Sequence, residues 1–590
     1  MSPKVYKSLS PSVPLRSHSI FTHLFASTHG SDVGGYAPSS PAFVDAPTGT
    51  TLTRGQLKHL ALTFGYGLLN TPGLELQRGD TVLIYSPNSL AWPVVLFGSI
   101  AAGLRCTLAN SAYTSAELRH QYLDSGAKTI ITAEDGLPTV QAFLTGLSLS
   151  NADIKRRTIV IPNDLSWATS QARPSKTPSD PLRLNDILSL GTLPSEAKFD
   201  GDDCHETVLL CYSSGTTGKP KGVETTHRNL TTVLEIVKPV FPTLTQGKDN
   251  ILGVLPFYHI YGAIKLVHFP FSLGVPCVIQ SKFDPVTFCR DIEKYNVTLS
   301  LIVPPILVVL SRHEAVDKYD LSSLRVVFSG AAPLGAALAK DVKDRILARR
   351  GGKGEFSVTQ GYGLTETSPT CHCLPAHDSE RKMGSIGLLL PNLEARLVVD
   401  GEGDGNIDAD EGQPGELWLR GPTIMKGYLN NPTATADCIT EDKWFKTGDI
   451  AVRDGEGYYY IVDRRKELIK YKGFQVPPAE LESVLLTQPE VADAAVIGVY
   501  DEQEATELPR AYIVPAHLSK LNTEQSRDDF ARSVAAWIQI QVAHHKFLRG
   551  GVVVTDIIPK SAAGKILRRQ LRDRAKDNED RVVYTLKAKL

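Results

Sequence analysis

A loop rich in glycine and hydroxyl side chains constrains this chain more than any other stretch. It spans residues 212–222 and directly follows the apolar run 208–211. Glycines let backbone N–H groups approach an anion, and hydroxyls donate hydrogen bonds. We predict a phosphate-binding loop, against the alternative of a flexible linker, because linkers rarely follow a buried strand so directly. Its contributing residues are Ser213, Ser214, Gly215, Thr216, Thr217 and the point charge of Lys221.

The loop is not a Walker A motif. That motif needs a glycine, four residues and then Gly-Lys-Ser/Thr. Here Pro220 follows Gly218 and Lys219, and Ser213 occupies the place of the first glycine. A kinase or GTPase of the P-loop class is therefore disfavoured.

The composition is typical of a multidomain protein from a reducing compartment. A chain of 590 residues is too long for one hydrophobic core, so two or more domains are expected. Lys and Arg number 63 and Asp and Glu 64, so no overall charge recruits nucleic acid or an acidic membrane. The 8 cysteines lack CxxC spacing, which argues against disulfides and structural zinc.

Two apolar stretches, 90–108 and 297–310, approach the length of a membrane span. Pro93 and Arg105 interrupt the first, and Pro304 with the next proline interrupts the second. We predict that both are buried pieces of a core, with no integral membrane contact.

Neither end of the chain predicts secretion. Residues 1–20 lack a basic region followed by an apolar core, so they predict a surface extension and no secretory signal. The last residues, Ala588-Lys589-Leu590, differ by one substitution from the Ser-Lys-Leu peroxisomal signal. We expect recognition by a peroxisomal import receptor, and otherwise a cytosolic location.

Strand-like and helix-like segments alternate along much of the chain. The strand pattern 82–85 precedes a helix pattern at 92–102, and further strand patterns lie at 129–131, 278–279 and 326–328. This order predicts parallel sheets with helical crossovers. After Arg396 the pattern changes to short antiparallel strands, clearest at 416–421 and 458–462. Residues 151–205, rich in Pro, Ser, Asp and Lys, predict a surface insertion.

Two patterns resemble metal sites only superficially. Residues 400–411 nearly match an EF-hand loop, but strand-like flanks predict an acidic hairpin instead. Cys371, His372 and Cys373 lack the usual ligand spacing, and we interpret them as lining of a pocket.

Five further motifs follow the phosphate loop in order. They are Ser329–Pro333, Gln360–Glu366, Lys446–Asp449, Asp463–Gln475 and Pro559–Leu567. Together with the loop they resemble the adenylate-forming superfamily of acyl-CoA synthetases, luciferase and peptide-synthetase adenylation domains. The resemblance covers about residues 42–569 and is strongest to 4-coumarate-CoA ligase-like acyl-CoA ligases.

The resemblance implies an α/β fold with a large multi-sheet N-terminal adenylating domain and a small mobile α+β C-terminal domain. We expect the first to span 1–462 and the second, a lid, to span 463–590. It implies an acid–thiol ligase that uses ATP, Mg²⁺ and coenzyme A. Such an enzyme joins a small carboxylic acid to AMP, releases pyrophosphate, and then transfers the acyl group to CoA.

Two alternatives stay open. A luciferase-like or carrier-protein adenylating enzyme shares the fold, although no serine-bearing carrier segment follows Lys565. A catalytically silent nucleotide-binding protein is the other. The intact set of Lys221, Glu366, Asp449 and Lys565 argues against it.

The resemblance also implies roles for individual residues. Those expected to line adenine and the α-phosphate are Ala331, Gln360, Gly361, Tyr362 and Thr365, with Glu366 on magnesium. Asp449, a carboxylate on a tight turn, suits both ribose hydroxyls, and Arg464 is a second ribose contact. Adenylate-pocket residues on the lid are Lys466, Lys470 and Gln475.

Two lysines of the lid are expected to serve different half-reactions. Lys565 is the catalytic lysine of adenylation. Lys472 and Gly473, together with Lys282, are expected to contact CoA. A domain that rotates between these two states follows from this division.

The acyl pocket is expected beside His259 and Tyr261. Lys265 and Thr370 depart from the small and aliphatic residues that hydroxycinnamate ligases usually carry there. Lys265 either extends to solvent or reaches the pocket and favours an acid with a distal polar group.

Overall fold

The computed structural model describes residues 3–147, 149–168, 181–213, 220–352, 354–399, 405, 407–465, 467–472, 474–502, 504, 506–561, 564–577 and 579–583. Two large sheets with helices around them form the main body. A smaller unit with separate hydrophobic clusters begins at Ile469. The predicted α/β fold with a smaller C-terminal domain is confirmed. The predicted junction at 462/463 falls within the strand Tyr458–Arg464.

The first sheet has eight described strands. In spatial order they are Gly427–Tyr428, Lys221–Thr226, Thr207–Ser213, Arg105–Ala109, Thr81–Tyr85, Ala127–Ala133, Thr158–Ile161 and Leu182–Arg183. The six strands from Thr207–Ser213 to Leu182–Arg183 are parallel neighbours, as the alternating pattern predicts. Lys221–Thr226 returns antiparallel to Thr207–Ser213, so the two ends of the phosphate loop lie side by side.

The second sheet has fourteen described strands. In spatial order they are Tyr6–Lys7, Glu394–Val398, Gly415–Arg420, Phe445–Arg453, Tyr458–Arg464, Gly387–Leu389, His372–Cys373, Ser357–Tyr362, Val326–Ser329, Leu299–Ile302, Ile251–Gly253, Cys277–Ile279, Pro41–Asp45 and Thr51–Thr53. The run from Ser357–Tyr362 to Pro41–Asp45 is parallel. The strands after Glu394 are antiparallel, as predicted.

Helices surround the sheets. Those of the main body are Ile20–Phe25, Arg54–Asn70, Ala91–Ala101, Ser115–Ser125, Leu137–Thr145, Asn151–Arg156, Leu184–Leu188, His227–Val237, Ile260–Gly262, Phe269–Ser272, Pro285–Lys294, Pro304–Arg312, Ala315–Lys318, Ala336–Arg349 and Pro432–Cys438. A π-helix, Ala263–His268, joins two of them. Every residue of Ala91–Ala101 is buried, as expected of a helix that is apolar on all sides. Within the described residues, no helix has the length and apolarity to cross a bilayer.

One prediction about the fold is wrong. Residues 151–205 are no mere surface insertion, because Thr158–Ile161 is buried at all four positions and pairs in parallel with Ala127–Ala133. Trp167 is buried as well. Helix Leu184–Leu188 packs so closely on Arg54–Asn70 that a Cβ at Gly67 would lie 2.2 Å from the carbonyl oxygen of Ile187. Short apolar runs within this segment form buried structure, although its overall composition is polar.

The C-terminal unit is α+β. Its strands are Ile469–Tyr471, Phe474–Val476, Val491–Asp501, Thr506–Pro515 and Val552–Val554, and its helices are Pro478–Leu485, Glu524–Gln541 and Arg568–Lys576. It rests on the main body, where Arg312 Nη1 donates to the carbonyl of Val491 at 2.8 Å.

Candidate active site

Two parallel strands end beside each other and begin the site. Val326–Ser329 pairs with Ser357–Tyr362, and their carboxyl ends lead into the motifs at 329–333 and 360–366. Ligands commonly bind outside the carboxyl ends of parallel strands. Ala331 has φ 66°, a left-handed conformation that is uncommon for a residue with a Cβ. The strand ends therefore position both motifs along one edge.

Glu366 lies at the meeting point of the phosphate loop and this edge. Its Oε1 accepts from Ser213 Oγ at 3.1 Å and from the Tyr428 hydroxyl at 2.8 Å. Lys221 Nζ lies 4.5 Å from the centre of the Tyr428 ring. The structure thus joins Ser213, Lys221 and Glu366, while Ser214, Gly215, Thr216 and Thr217 lie outside the described residues.

This cluster suits a hard cation beside phosphate oxygens. A carboxylate with neighbouring hydroxyls is the type of ligand that Mg²⁺ prefers. Elsewhere among the described residues, no group of three or more His, Cys, Asp or Glu side chains could share a metal ion. The single carboxylate of Glu366 is compatible with an ion that takes its other ligands from a bound triphosphate.

Asp449 forms a second cluster. Pairing of Phe445–Arg453 with Tyr458–Arg464 sets Asp449 opposite Arg464, whose Nε lies 3.3 Å from Asp449 Oδ1. The Tyr362 hydroxyl donates to Oδ2 at 2.5 Å. Although burial lowers the pKa of Arg464, the Asp449 and Glu467 carboxylates reverse this and raise it. The structure therefore brings Tyr362, Asp449 and Arg464 together.

Lys565 reaches these clusters from the C-terminal unit. Burial and the positive charge of Arg464 lower the pKa of Lys565 to about 8, against the opposing effect of the Glu467, Asp449 and Glu366 carboxylates. Burial, reinforced by the charge of Lys565, lowers the pKa of His259 to about 4. Lys565 is therefore within electrostatic reach of both carboxylates and of His259.

Contacts of Gly564 explain how Lys565 is held there. A Cβ at Gly564, which has φ 77°, would lie 3.3 Å from Val303 Cγ2 and 3.4 Å from Pro305 Cγ. The turn closes through two hydrogen bonds of 2.8 Å between the backbones of Ser561, Gly564 and Lys565. The loop therefore docks directly on the main body.

Three further residues of the motif at 360–366 lie around these clusters in separate environments. Gln360 donates from Nε2 to the carbonyl of Ser385 at 2.8 Å, so its amide group is already engaged away from Glu366. Gly361 allows close packing, since a Cβ there would lie 2.7 Å from Phe328 Cζ. Thr365 begins the short 3₁₀ helix Thr365–Thr367, which carries Glu366.

Some residues were predicted to contact CoA, and others to line the adenylate pocket from the lid; of both groups, those whose side chains the structure describes lie at the surface. Lys282, Lys470 and Lys472 are exposed, and Lys472 Nζ pairs with Glu504 Oε2 at 3.0 Å. Lys466, Gly473 and the side chain of Gln475 lie outside the described residues. In this arrangement, Lys565 occupies the cleft and the Lys472 hairpin does not.

The residues predicted to line the acyl chamber, Tyr261, Lys265 and Thr370, are all buried. Tyr261 packs against Gly330, where a Cβ would lie 2.9 Å from Tyr261 Cζ, and its hydroxyl donates to the carbonyl of Phe328 at 3.4 Å. Lys265 is 1% exposed, so the alternative in which it extends to solvent is excluded. Cys373 and Thr370 are buried. Burial lowers the pKa of Lys265 to about 7, and the nearby Cys373 thiol opposes this shift only in part.

Tyr428 is the residue that sequence reasoning missed. It belongs to the two-residue strand Gly427–Tyr428, which pairs with Lys221–Thr226. Neither its spacing nor its type distinguishes it from the other tyrosines. The pairing of so short a strand is visible only in the structure.

Comparisons with known proteins agree with this geometry. The family model of the AMP-binding enzyme matches residues 33–429, and that of the AMP-binding enzyme C-terminal domain matches 480–565. A 4-coumarate-CoA ligase 1 of Narcissus pseudonarcissus is 37% identical over 541 residues, 90% of each chain. A 4-coumarate–CoA ligase 2 of Petroselinum crispum is 36% identical over 575 residues, 96% of each chain.

A solved structure shares the fold. The o-succinylbenzoate CoA synthetase of Bacillus subtilis, in complex with its acyl-adenylate intermediate, superposes with a TM-score of 0.71 at 25% identity. The superposition covers 91% of this chain and 96% of that one.

Proposed function

This chain belongs to the AMP-binding enzyme family, and we propose that it is an ATP-dependent carboxylic acid–CoA ligase. The observations that carry the proposal are the Glu366 cluster, the Asp449–Arg464 pair, and the docking of Gly564, next to Lys565, on Val303 and Pro305. Such a cleft combines a phosphate cradle, a carboxylate for a cation, a ribose acceptor and a mobile positive charge. These are the groups that adenylation of an acid needs.

In the first half-reaction, a carboxylate oxygen attacks the α-phosphorus of ATP. The bond from that phosphorus to the bridging oxygen breaks, and pyrophosphate leaves. Ser213 and Lys221 would hold the β- and γ-phosphates, and Asp449 with Arg464 would hold the ribose; the contacts of Ser213 with Glu366 and of Arg464 with Asp449 support these roles. Glu366 would hold Mg²⁺, which neutralises phosphate charge when bound. Lys565 would stabilise the charge that grows at the α-phosphate.

In the second half-reaction, the thiol of CoA attacks the acyl carbonyl carbon. The acyl–phosphate bond breaks, AMP leaves, and the thiol proton is released. We propose that Lys472, Gly473 and Lys282 contact CoA, whereas Lys466, Lys470 and Gln475 contact the adenylate. The exposure of Lys472 supports a rotation of the lid between the half-reactions. His259 and Tyr261 border the reacting end of the acid.

The experiment that tests this function is a panel of aryl, fatty and functionalised acids. Each is incubated with the purified chain, ATP and Mg²⁺, with and without CoA. We expect AMP release that depends on CoA, together with an equal amount of acyl-CoA thioester. Pyrophosphate release without thioester would instead favour a luciferase-like or carrier-protein adenylating enzyme. If no acid yields AMP or pyrophosphate, the chain is a silent nucleotide-binding protein.

We also propose that the enzyme is imported into peroxisomes. The basis is the terminal Ala588-Lys589-Leu590, which lies outside the described residues. Deleting these three residues should move a fluorescent N-terminal fusion from peroxisomes to the cytosol without changing ligase activity. An unaltered distribution would refute the proposal.

A further inference from the structure

We propose that Lys265 makes this enzyme select acids that carry a second carboxylate at the end remote from the reacting one. The inference rests on the proposed function, because it concerns the acid that the ligase activates. It is carried by the position of Lys265, by its burial and by the chemistry of the walls around it.

Lys265 lies further along the same helical segment than His259, beside which the reacting end of the acid is proposed to bind. It belongs to the π-helix Ala263–His268, which continues the helical turn Ile260–Gly262 directly after His259. Lys265 follows His259 by six positions, so it lies between roughly one and two helical turns further along. Irregular helical turns of this kind are frequent at functional sites. With Lys565 near His259, the reacting carboxylate belongs at one end of the chamber and Lys265 at the other.

The ammonium of Lys265 has no anionic partner in the described part of the chain. The side chain is 1% exposed, and its Nζ lies 5.3 Å from the centre of the Phe241 ring and 4.8 Å from that of Phe269. No hydrogen bond or ion pair joins Nζ to another described residue. Burial lowers its pKa to about 7. A buried cation without a partner is costly, and two aromatic faces offset only part of this cost.

The remaining walls are largely apolar. Phe241 packs on Phe328 with ring centres 5.0 Å apart and on Phe269 at the same distance. Tyr261 directs its hydroxyl to a backbone carbonyl, and Cys373 keeps its proton because burial raises the pKa of its thiol to about 12. His268, on the same π-helix, packs on Phe97 and hydrogen-bonds the carbonyl of Ala263 at 2.8 Å. Lys265 therefore supplies a positive charge with no negative group facing it.

A bound acid with a distal carboxylate would supply that negative group. An acid that ends in a methyl group would instead leave the ammonium desolvated and unpaired. Discrimination is strong when a substrate must satisfy a buried polar group. The geometry points to dicarboxylic acids, aliphatic or aromatic, that are long enough for the second carboxylate to reach Lys265.

The test compares matched acids in two variants. Wild type, Lys265→Met and a control, Lys318→Met, are assayed with α,ω-dicarboxylic acids and with the monocarboxylic acids of equal chain length. Methionine keeps the length of the buried side chain without its charge. Lys318 is exposed and pairs with Glu314 at 2.6 Å, so its loss should leave the chamber unchanged. The quantity compared is the ratio of kcat/KM for the diacid to that for the monoacid.

We expect the wild type and Lys318→Met to favour a diacid by at least about tenfold, as a hydrogen bond to a buried charge implies. Lys265→Met should lose this preference and gain activity on the monoacid. A wild type that prefers monoacids at every chain length would overturn the inference, whatever the variants do. An unchanged diacid-to-monoacid ratio in Lys265→Met would also overturn the inference. In both cases the measured ligase activity shows that the proposed function still holds. If no acid is activated, the proposed function fails and this inference fails with it.

Discussion

Lys265 is also a residue whose charge opposes folding. Its ammonium is transferred from water to an apolar chamber, and burial lowers its pKa from 10.5 to about 7. Between these two pH values the unfolded chain holds the proton and the folded chain does not. The stability of the folded chain therefore rises with pH in this window, because the unfolded state binds more protons there.

The first prediction follows from this linkage. Lys265→Met should raise the melting temperature most below pH 7, where the wild type must bury a charge, by an amount equivalent to at most about 5 kcal/mol. The difference from the wild type should shrink as the pH approaches 10. Thermal melts of both chains across this range, without ligand, measure it. A difference that does not vary with pH would contradict the burial of an unpaired ammonium.

The limits of sequence reasoning are clear at this scale. The family resemblance predicted that Ser213, Lys221 and Glu366 would serve one phosphate and magnesium site, and that Asp449 and Arg464 would both contact the ribose. The environment of Lys265 could not be predicted, because a lysine in an apolar helix can extend to solvent or stay inside, and only packing decides. Tyr428 was missed because its role depends on the pairing of two residues with a strand some 200 positions earlier in the chain.

At the scale of elements, the alternating pattern predicted the parallel strands well. Strands such as Thr81–Tyr85 are buried on both faces and read as continuous apolar runs. The strand Thr158–Ile161, which lies between Ala127–Ala133 and Leu182–Arg183, was missed because polar neighbours on both sides masked its three apolar positions. The turn after Val326–Ser329 was predicted as part of the site. The contact of Gly330, in this turn, with Tyr261 could not be predicted, because it depends on tertiary packing.

That contact gives the second prediction. Gly330→Ala would place a Cβ 2.9 Å from Tyr261 Cζ, closer than van der Waals contact allows, so the ring must move within the chamber. We expect a higher KM for bulky acids and a smaller effect for short ones. Gly455→Ala is the matched control, because nothing lies within 4 Å of its added Cβ. Equal KM changes for bulky and short acids would show that Tyr261 does not border the acyl group.

At the scale of the whole molecule, two units share one cleft. Gly564 packs on Val303 and Pro305, and Arg312 hydrogen-bonds the carbonyl of Val491. These contacts hold the turn that carries Lys565 against the main body, while the Lys472 side chain is exposed. This arrangement suits adenylation. Thioester formation would then need the C-terminal unit to move, so the two half-reactions should depend on different residues.

Separate assays of the two half-reactions of Lys565→Ala test the account most directly. Removing the cation should lower the rate of adenylate formation roughly a hundredfold or more, as expected for one preorganised electrostatic group. Conversion of supplied acyl-adenylate and CoA to thioester should largely survive, because Lys565 has no part in that step. An equal loss in both half-reactions, or no loss in adenylation, would contradict the proposed mechanism.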